Sequence, residues 1–341
     1  MPLPGQLASS VNQRIHSLQA LRFIAAAMVV LLHVEQGARG LIGLPHEGGF
    51  FANIGSFGVD IFFVLSGYVI CLTAPGLTPA TFLRKRVVRV VPVYWLATLF
   101  FLPFVLAAGG FEAARGIATV SFYPGFGLPW LSVGWTLCFE MLFYAVTALV
   151  LIDPRRLLPL ALAVFAACWV MRVEIGGAFR FFGNPLILEF LFGAALTRIK
   201  ARSALLSVLS AGTALVLLGA VATGGMGDAN NVLGLVAGET SLARVAAMGI
   251  PAALLVWAAL GVRLGKGWLS YLGDMSYALY LVHPHVIAAA LLVAPAMPVP
   301  LFTAIVALAS FAAGMAMHER VEKPLLAALR RPRRILVPVA A

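Results

Sequence analysis

Charge is scarce in this 341-residue sequence. Asp, Glu, Lys and Arg supply only 11% of it, while 62% is hydrophobic; a typical soluble domain is about 25% charged. So little charge cannot clothe a water-solvated surface of this size, which excludes an ordinary soluble enzyme, and so much apolar content excludes a disordered chain. Acidic residues are the scarcer sign, 13 Asp and Glu against 24 Lys and Arg, for a net charge of +11. In a soluble domain that surplus would point to nucleic acid. Here it accompanies apolar runs that recur from end to end and a mean hydropathy of +0.99, so nucleic-acid binding is excluded and the surplus reads as positive-inside topology. Cysteine is also rare. Cys71, Cys138 and Cys168 each sit in an apolar stretch, with no CxxC or metal-ligand spacing, so they read as small core residues and no metal site is expected. The pattern of a cleaved signal peptide is missing too: residues 1–17 are polar, and the apolar run that follows is long enough to span and stay.

What is present is a series of apolar segments near the length a bilayer core requires. They fall at about 18–36, 57–73, 90–109, 135–152, 157–173, 181–198, 204–222, 244–262, 272–293 and 299–318. The expected fold is an all-α, polytopic transmembrane bundle of about ten helices, a single domain over 1–341 with a basic cytoplasmic tail at 319–341. Residues 110–134 and 223–243, rich in Pro, Gly and Asn, read as loops. Eighteen Lys and Arg fall on one set of connections; Arg39, Arg115, Arg172, Arg180 and Arg244 fall on the other, and Arg22 lies within the first span. This asymmetry places both termini in the cytoplasm.

An ionised side chain in hydrocarbon costs about 2.5–3.5 kcal/mol even on the lenient insertion scale, so the intramembrane ionisable groups are the ones to read. They are Arg22, His33, Glu35, Asp60, Glu140, Glu189, His283 and His285. Arg22 and His33 are eleven residues apart, close to three helical turns, and therefore share a face about 16 Å apart. Either they are a snorkelling Arg and a hydrogen-bonded core His, or they form a cation-to-imidazole track. Counted from the predicted ends of their helices, Glu140 and His33 have similar depth, so Glu140 is expected to pair with His33 or else with Trp135, a Tyr hydroxyl or backbone. Arg84, Lys85, Arg86 and Arg89 cluster at one helix mouth, with Arg86 and Arg89 on one face; they suit lipid head groups or the phosphates of a soluble ligand. The run Gly58-Val-Asp60-Ile-Phe-Phe-Val-Leu-Ser66-Gly-Tyr68 reads as close helix packing, with Asp60 the exception. Pro284, between His283 and His285, is expected to kink its helix and free backbone groups, which makes mid-membrane His283 a candidate functional residue.

Several separated segments together form a familiar series. They are Leu18-Gln-Ala-Leu-Arg22 through His33, the Gly58–Tyr68 run, Arg84-Lys-Arg86-x-x-Arg89-x-x-Pro92-x-Tyr94-Trp95, and Gly134-Trp135-Thr-Leu-Cys-Phe-Glu140-Met-Leu-Phe-Tyr144. Tyr271-Leu-Gly-Asp-Met-Ser276-Tyr277-Ala-Leu-Tyr280-Leu-Val-His283 and Glu322-Lys-Pro324 complete it. In order and spacing the chain resembles the acyltransferase 3 family of integral-membrane acyltransferases, and within it the bacterial exopolysaccharide acetyltransferases of the succinoglycan type. Phe23, Lys85 and Tyr68 stand where many relatives have Gly, Arg and Phe. The resemblance implies a multi-pass protein of the bacterial inner membrane that transfers an acyl group, often acetyl, from acetyl-CoA or another acyl-CoA to a glycan hydroxyl, amid membrane lipids and with no metal. It implies a catalytic His33, Arg22, Arg84, Arg86 and Arg89 as donor-binding residues, and Glu140 as a further catalytic position. Asp60, Ser66, Tyr94, Trp135, Tyr144 and His283 are candidates to line the site. The expected chemistry is general-base attack through His33, with a transient acyl-His as a variant. A transporter or flippase, and a structural scaffold, are the competing classes; a visible inverted repeat, which a transporter of this size commonly has, is missing.

Overall fold

The computed structural model describes residues 4–45, 50–52, 54–199, 203–224, 231–295 and 297–330, and among them every regular element is helical. In chain order these are α1 (Pro4–Leu41), α2 (Phe57–Thr73), α3 (Pro79–Ala107), α4 (Ala113–Ser121), α5 (Trp135–Val150), α6 (Pro154–Glu174), α7 (Ala178–Phe182) and α8 (Ile187–Leu196). There follow α9 (Ala204–Gly224), α10 (Val232–Ala237), α11 (Ser241–Arg244), α12 (Ile250–Gly261), α13 (Trp268–Asp274), α14 (Ser276–Val293), α15 (Val299–Met317) and α16 (Lys323–Arg330). Nine helical stretches among the described residues are long and apolar enough to cross a membrane, and the 17-residue α2 is a tenth, shorter apolar helix. The protein is thus an all-α, multi-pass integral membrane bundle.

Local chemistry starts several of these helices. Thr78 caps α3 by accepting from the Thr81 amide, with Pro79 in the first turn, where its missing N–H is not needed. Asp153 caps α6 in the same way, ahead of Pro154, and Asn231 accepts from the Gly234 amide at 3.1 Å to begin α10. α1 is the central rod, touching α2, α12, α13, α14 and α15. α2 packs along α8 so closely that a Cβ at Gly67 or Gly193 would strike the opposing backbone, at Phe190 and Val64 respectively. Glycine at these two positions is what lets the helix axes approach, as small residues do in membranes. None of the side chains of α6 is buried, which places it at the lipid-facing edge.

Four details depart from the sequence reading. The span expected at 181–198 is two helices, α7 and α8. The break centres on Asn184, whose side-chain amide donates to the Leu235 and Val236 carbonyls while its oxygen accepts from the Leu186 amide at 3.0 Å; Gly183 and Pro185 flank it. The loop expected at 110–134 contains α4, pinned by Arg115 donating to the Leu128 carbonyl and by the Trp130 amide donating to Thr119. Arg244 is not a loop residue: it is 1% exposed, at the end of α11, and the helix runs through a π-turn at Val245–Gly249 into α12. Finally, α15 continues through a second π-turn, His318–Glu322, into α16, so residues 319–330 are helical. The remainder of the expected basic tail, 331–341, lies outside the described residues, as do 225–230 of the second expected loop.

Candidate active site

α1, α2, α3, α5 and α14 enclose a cleft of about 870 Å³, counting its open mouth. Its polar lining is Arg22, Ser66, Arg86, Arg89, Thr136, Glu140, Tyr144 and the hydroxyl residues of the first part of α14; the rest is apolar, including Phe62, Phe63 and Leu137. A second, wider cleft of about 1280 Å³ adjoins it, lined by Thr73, Thr81, Arg84, Lys85, Arg86, Arg89 and Arg330. Arg86 and Arg89 border both, so the two clefts adjoin as one cation-lined passage.

Arg86 and Arg89, expected on one face of their helix, both border the same two clefts. The Arg86 guanidinium donates to the Thr73 hydroxyl and lies over the rings of Phe82 and Tyr144, 5.5 and 5.8 Å from their centroids. Such cation–π contacts hold the planar cation in place while leaving donors free for an oxyanion. Arg22 is half-buried on the opposite wall and donates to Gln19, which in turn donates to Asp274 at 2.6 Å. The passage thus carries cations from two helices, α1 and α3.

Glu140 stands inside this cationic passage. Its carboxylate accepts from the Tyr144 hydroxyl and from Ser66 at 3.4 Å. The expected Glu140–His33 pair is not made, and the alternative partner, a Tyr hydroxyl, is the one observed. The predicted end of the first span, at 36, put His33 three residues from it, but α1 runs eight residues past His33 to Leu41, whereas Glu140 lies five residues past the start of α5 at Trp135. His33 pairs instead with His283 of α14, Nδ1 to Nε2, at 2.9 Å. At the deep end of the cleft the Tyr280 hydroxyl donates to the Val133 carbonyl at 2.7 Å and meets Thr136 at 2.9 Å. The Tyr280 ring, part of the cleft wall, lies 6.0 Å from that of His283, so the histidine pair adjoins the cleft behind Tyr280, and neither His33 nor His283 is among its lining residues.

The remaining candidates divide. Ser66 and Tyr144 line the cleft. Tyr94 and Trp135 do not; both are core residues, Tyr94 against Phe122 and Trp135 against Phe63 and Phe139. Asp60 does not line the cleft either. It is fully buried and held bidentately by Arg244, with Nε to Oδ1 at 2.9 Å and Nη2 to Oδ2 at 2.6 Å. A third ionisable group, Glu189, is buried beside that pair. Asp60 is therefore a packing residue, and the sequence missed its partner because Arg244 follows a polar, loop-like stretch. Glu35 has a structural task as well, its carboxylate accepting from the Phe50 and Phe51 amides at 2.8 and 2.7 Å. His285, on the far side of Pro284, reaches the Ala97 carbonyl of α3 at 2.9 Å. In the closing Glu322-Lys-Pro324 segment, His318 bonds Glu322 at 2.7 Å, and both are buried. Arg330, read from sequence as part of a solvated tail, lines the wider cleft because α16 packs on α3.

Among the described residues no cluster of His, Cys, Asp and Glu could hold a metal ion.

Comparison with known proteins adds to this geometry. A sequence model of the acyltransferase 3 family, described as an acyltransferase domain, matches residues 15–319. The chain is 33% identical over 301 residues to "Exopolysaccharide production protein ExoZ" of Rhizobium meliloti (strain 1021), covering 80% of this chain and 90% of that protein. No solved structure matches.

Proposed function

The chain belongs to the acyltransferase 3 family, and from that premise we propose that it transfers an acyl group, acetyl in the simplest case, from acyl-CoA to a hydroxyl of an exopolysaccharide or its lipid-linked precursor in the bacterial inner membrane. The observation that carries this reading is the cationic passage. Arg86 and Arg89 from α3 line a cleft together with Arg22 from α1 and with Phe62, Phe63 and Leu137, and Arg84 lines the wider cleft beside it; His33 lies on the Arg22 helix about 16 Å further along. Coenzyme A is a polyanionic head on a long, flexible arm ending in a thioester. Arginines at the mouth suit its phosphates, and the apolar channel suits the arm. The donor and glycan acceptor are the partners this chemistry requires. The name of the relative from Rhizobium supports a glycan acceptor.

The reaction follows from these groups. His33 removes the proton of the acceptor hydroxyl as its oxygen attacks the thioester carbonyl. The carbon–sulfur bond breaks, the coenzyme A thiolate leaves, and the proton held by His33 returns to sulfur, giving an ester and a free thiol. Glu140, bonded to Tyr144 and Ser66, lines the donor cleft and balances the arginine charge, rather than touching His33. Purified protein supplied with acetyl-CoA and deacetylated polysaccharide should release free thiol in step with polymer acetylation. Deleting the gene should remove acetyl groups from the cell's polysaccharide by mass analysis. An unchanged polymer from the deletion strain, together with no thiol release in vitro, contradicts the assignment; it would revive the transporter reading.

A further inference from the structure

We propose that His283 is a positioning residue that fixes the tautomer of His33, holding a proton on His33 Nδ1 and leaving Nε2 as the basic nitrogen. The inference rests on the acyl-transfer reading in which His33 is the base, and it assigns which nitrogen acts and what sets it.

His283 Nδ1 lies 3.2 Å from the carbonyl oxygen of Leu279, one turn earlier in α14. A carbonyl only accepts, so Nδ1 must carry a proton. Pro284, the next residue, has no N–H to offer the Tyr280 carbonyl. With Nδ1 protonated, Nε2 of neutral His283 is an acceptor. It lies 2.9 Å from His33 Nδ1, which must then be the donor. The opposite assignment would set the His283 Nδ1 lone pair against a carbonyl lone pair. Ring geometry agrees with a directed bond. The two imidazoles are within 6° of parallel with centroids 5.1 Å apart. That separation exceeds the nitrogen–nitrogen distance by about two ring radii, as for rings meeting edge to edge in one plane, where the N–H points along the acceptor lone pair. His33 Nε2 carries no bond to any described residue, and His33 is only half-buried, whereas His283 is fully buried.

Aspartate does this orienting in soluble serine hydrolases. An ionised carboxylate at this depth would be costly to bury; a neutral imidazole anchored to a carbonyl gives the same direction without adding charge. The surrounding titratable groups are otherwise engaged. Tyr280 donates to Val133, His285 is turned to Ala97 of α3, and the Glu35 carboxylate is held by the Phe50 and Phe51 amides. From α2, the Phe62 ring packs against Tyr280.

The test has two arms. Nitrogen-15 NMR of histidine-labelled full-length protein, with His33→Gln as the assignment control, should show His33 protonated at Nδ1 and bare at Nε2. A His33 protonated at Nε2 overturns the proposal, whether or not any acyl transfer is detected, so this arm stands apart from the functional reading. In the kinetic arm, His283→Leu should lower kcat about 10²-fold, within the usual range for a general base, with KM for acetyl-CoA unchanged. His283→Gln, which returns a neutral acceptor, should restore most of kcat. His283→Glu should raise the pH of the acid limb of the rate profile by stabilising protonated His33. Equal kcat for the Leu and Gln variants, or a loss confined to KM, also overturns the proposal.

Discussion

The Asp60–Arg244 pair offers a sharp test of the packing described here, because sequence alone made Asp60 a candidate site residue. Both side chains are at most 1% exposed, and two charge-assisted bonds of 2.6 and 2.9 Å join them; Arg244 also donates to the Ser56 carbonyl at 2.9 Å. Removing one member strands the other charge in a low-dielectric interior, and truncations of this kind cost about 3–5 kcal/mol. At the lower bound that is more than a hundredfold in the folding equilibrium. Asp60→Ala should therefore lose about 3–5 kcal/mol in reversible unfolding from mixed micelles, and Arg244→Ala a similar amount. Replacing both by apolar residues, as in Asp60→Leu with Arg244→Met, removes attraction and desolvation together. Such double replacements are often neutral or stabilising, so the double variant should recover most of the loss. Because neither residue lines the cleft, the double variant should also turn over at the wild-type rate per folded molecule. Single variants within about 1 kcal/mol of wild type would refute the buried-pair reasoning; a stable but inactive double variant would return Asp60 to the active site. Glu189→Gln should be milder than Asp60→Ala, since Arg244 bonds Asp60 directly.

Other expectations follow from the same geometry. Arg86→Ala should raise KM for acetyl-CoA about 10–100-fold with a smaller change in kcat, because a lost charge-assisted bond is worth about 1.5–3 kcal/mol; steady-state kinetics at fixed ionic strength checks this. Arg330→Ala should weaken donor binding less than Arg86→Ala does, since Arg330 lines only the wider cleft; direct acetyl-CoA titration compares them. Gly193→Val should prevent recovery of monodisperse protein, because the added side chain would enter the backbone of α2 at Val64; size-exclusion profiles after detergent extraction report it.

How much the sequence disclosed depended on whether the feature was local. Ten apolar segments could be read directly, since bilayer thickness imposes their length and composition. The Arg86–Arg89 face followed from helical spacing, and its grouping with Arg22 was implied by the family resemblance. Gly183-Asn184-Pro185 was a legible signal for the break between α7 and α8, overlooked because hydropathy runs on through it. Arg244 was misread because charge in a polar flank looks solvated until a partner is known, and Asp60 lies 184 residues away. The His33–His283 pair spans 250 residues. Each histidine was legible as a candidate, but only the packing of α1 on α14 shows that they share a bond.

The central claim is that His33 performs the proton transfer in acyl transfer from acyl-CoA. Its most direct measurement is the transfer of labelled acetyl from acetyl-CoA to polysaccharide by the purified His33→Ala variant, with acetyl-CoA binding measured on the same preparation. The account predicts no product above background while donor binding persists through Arg22, Arg86 and Arg89; product formed at the wild-type rate would contradict it.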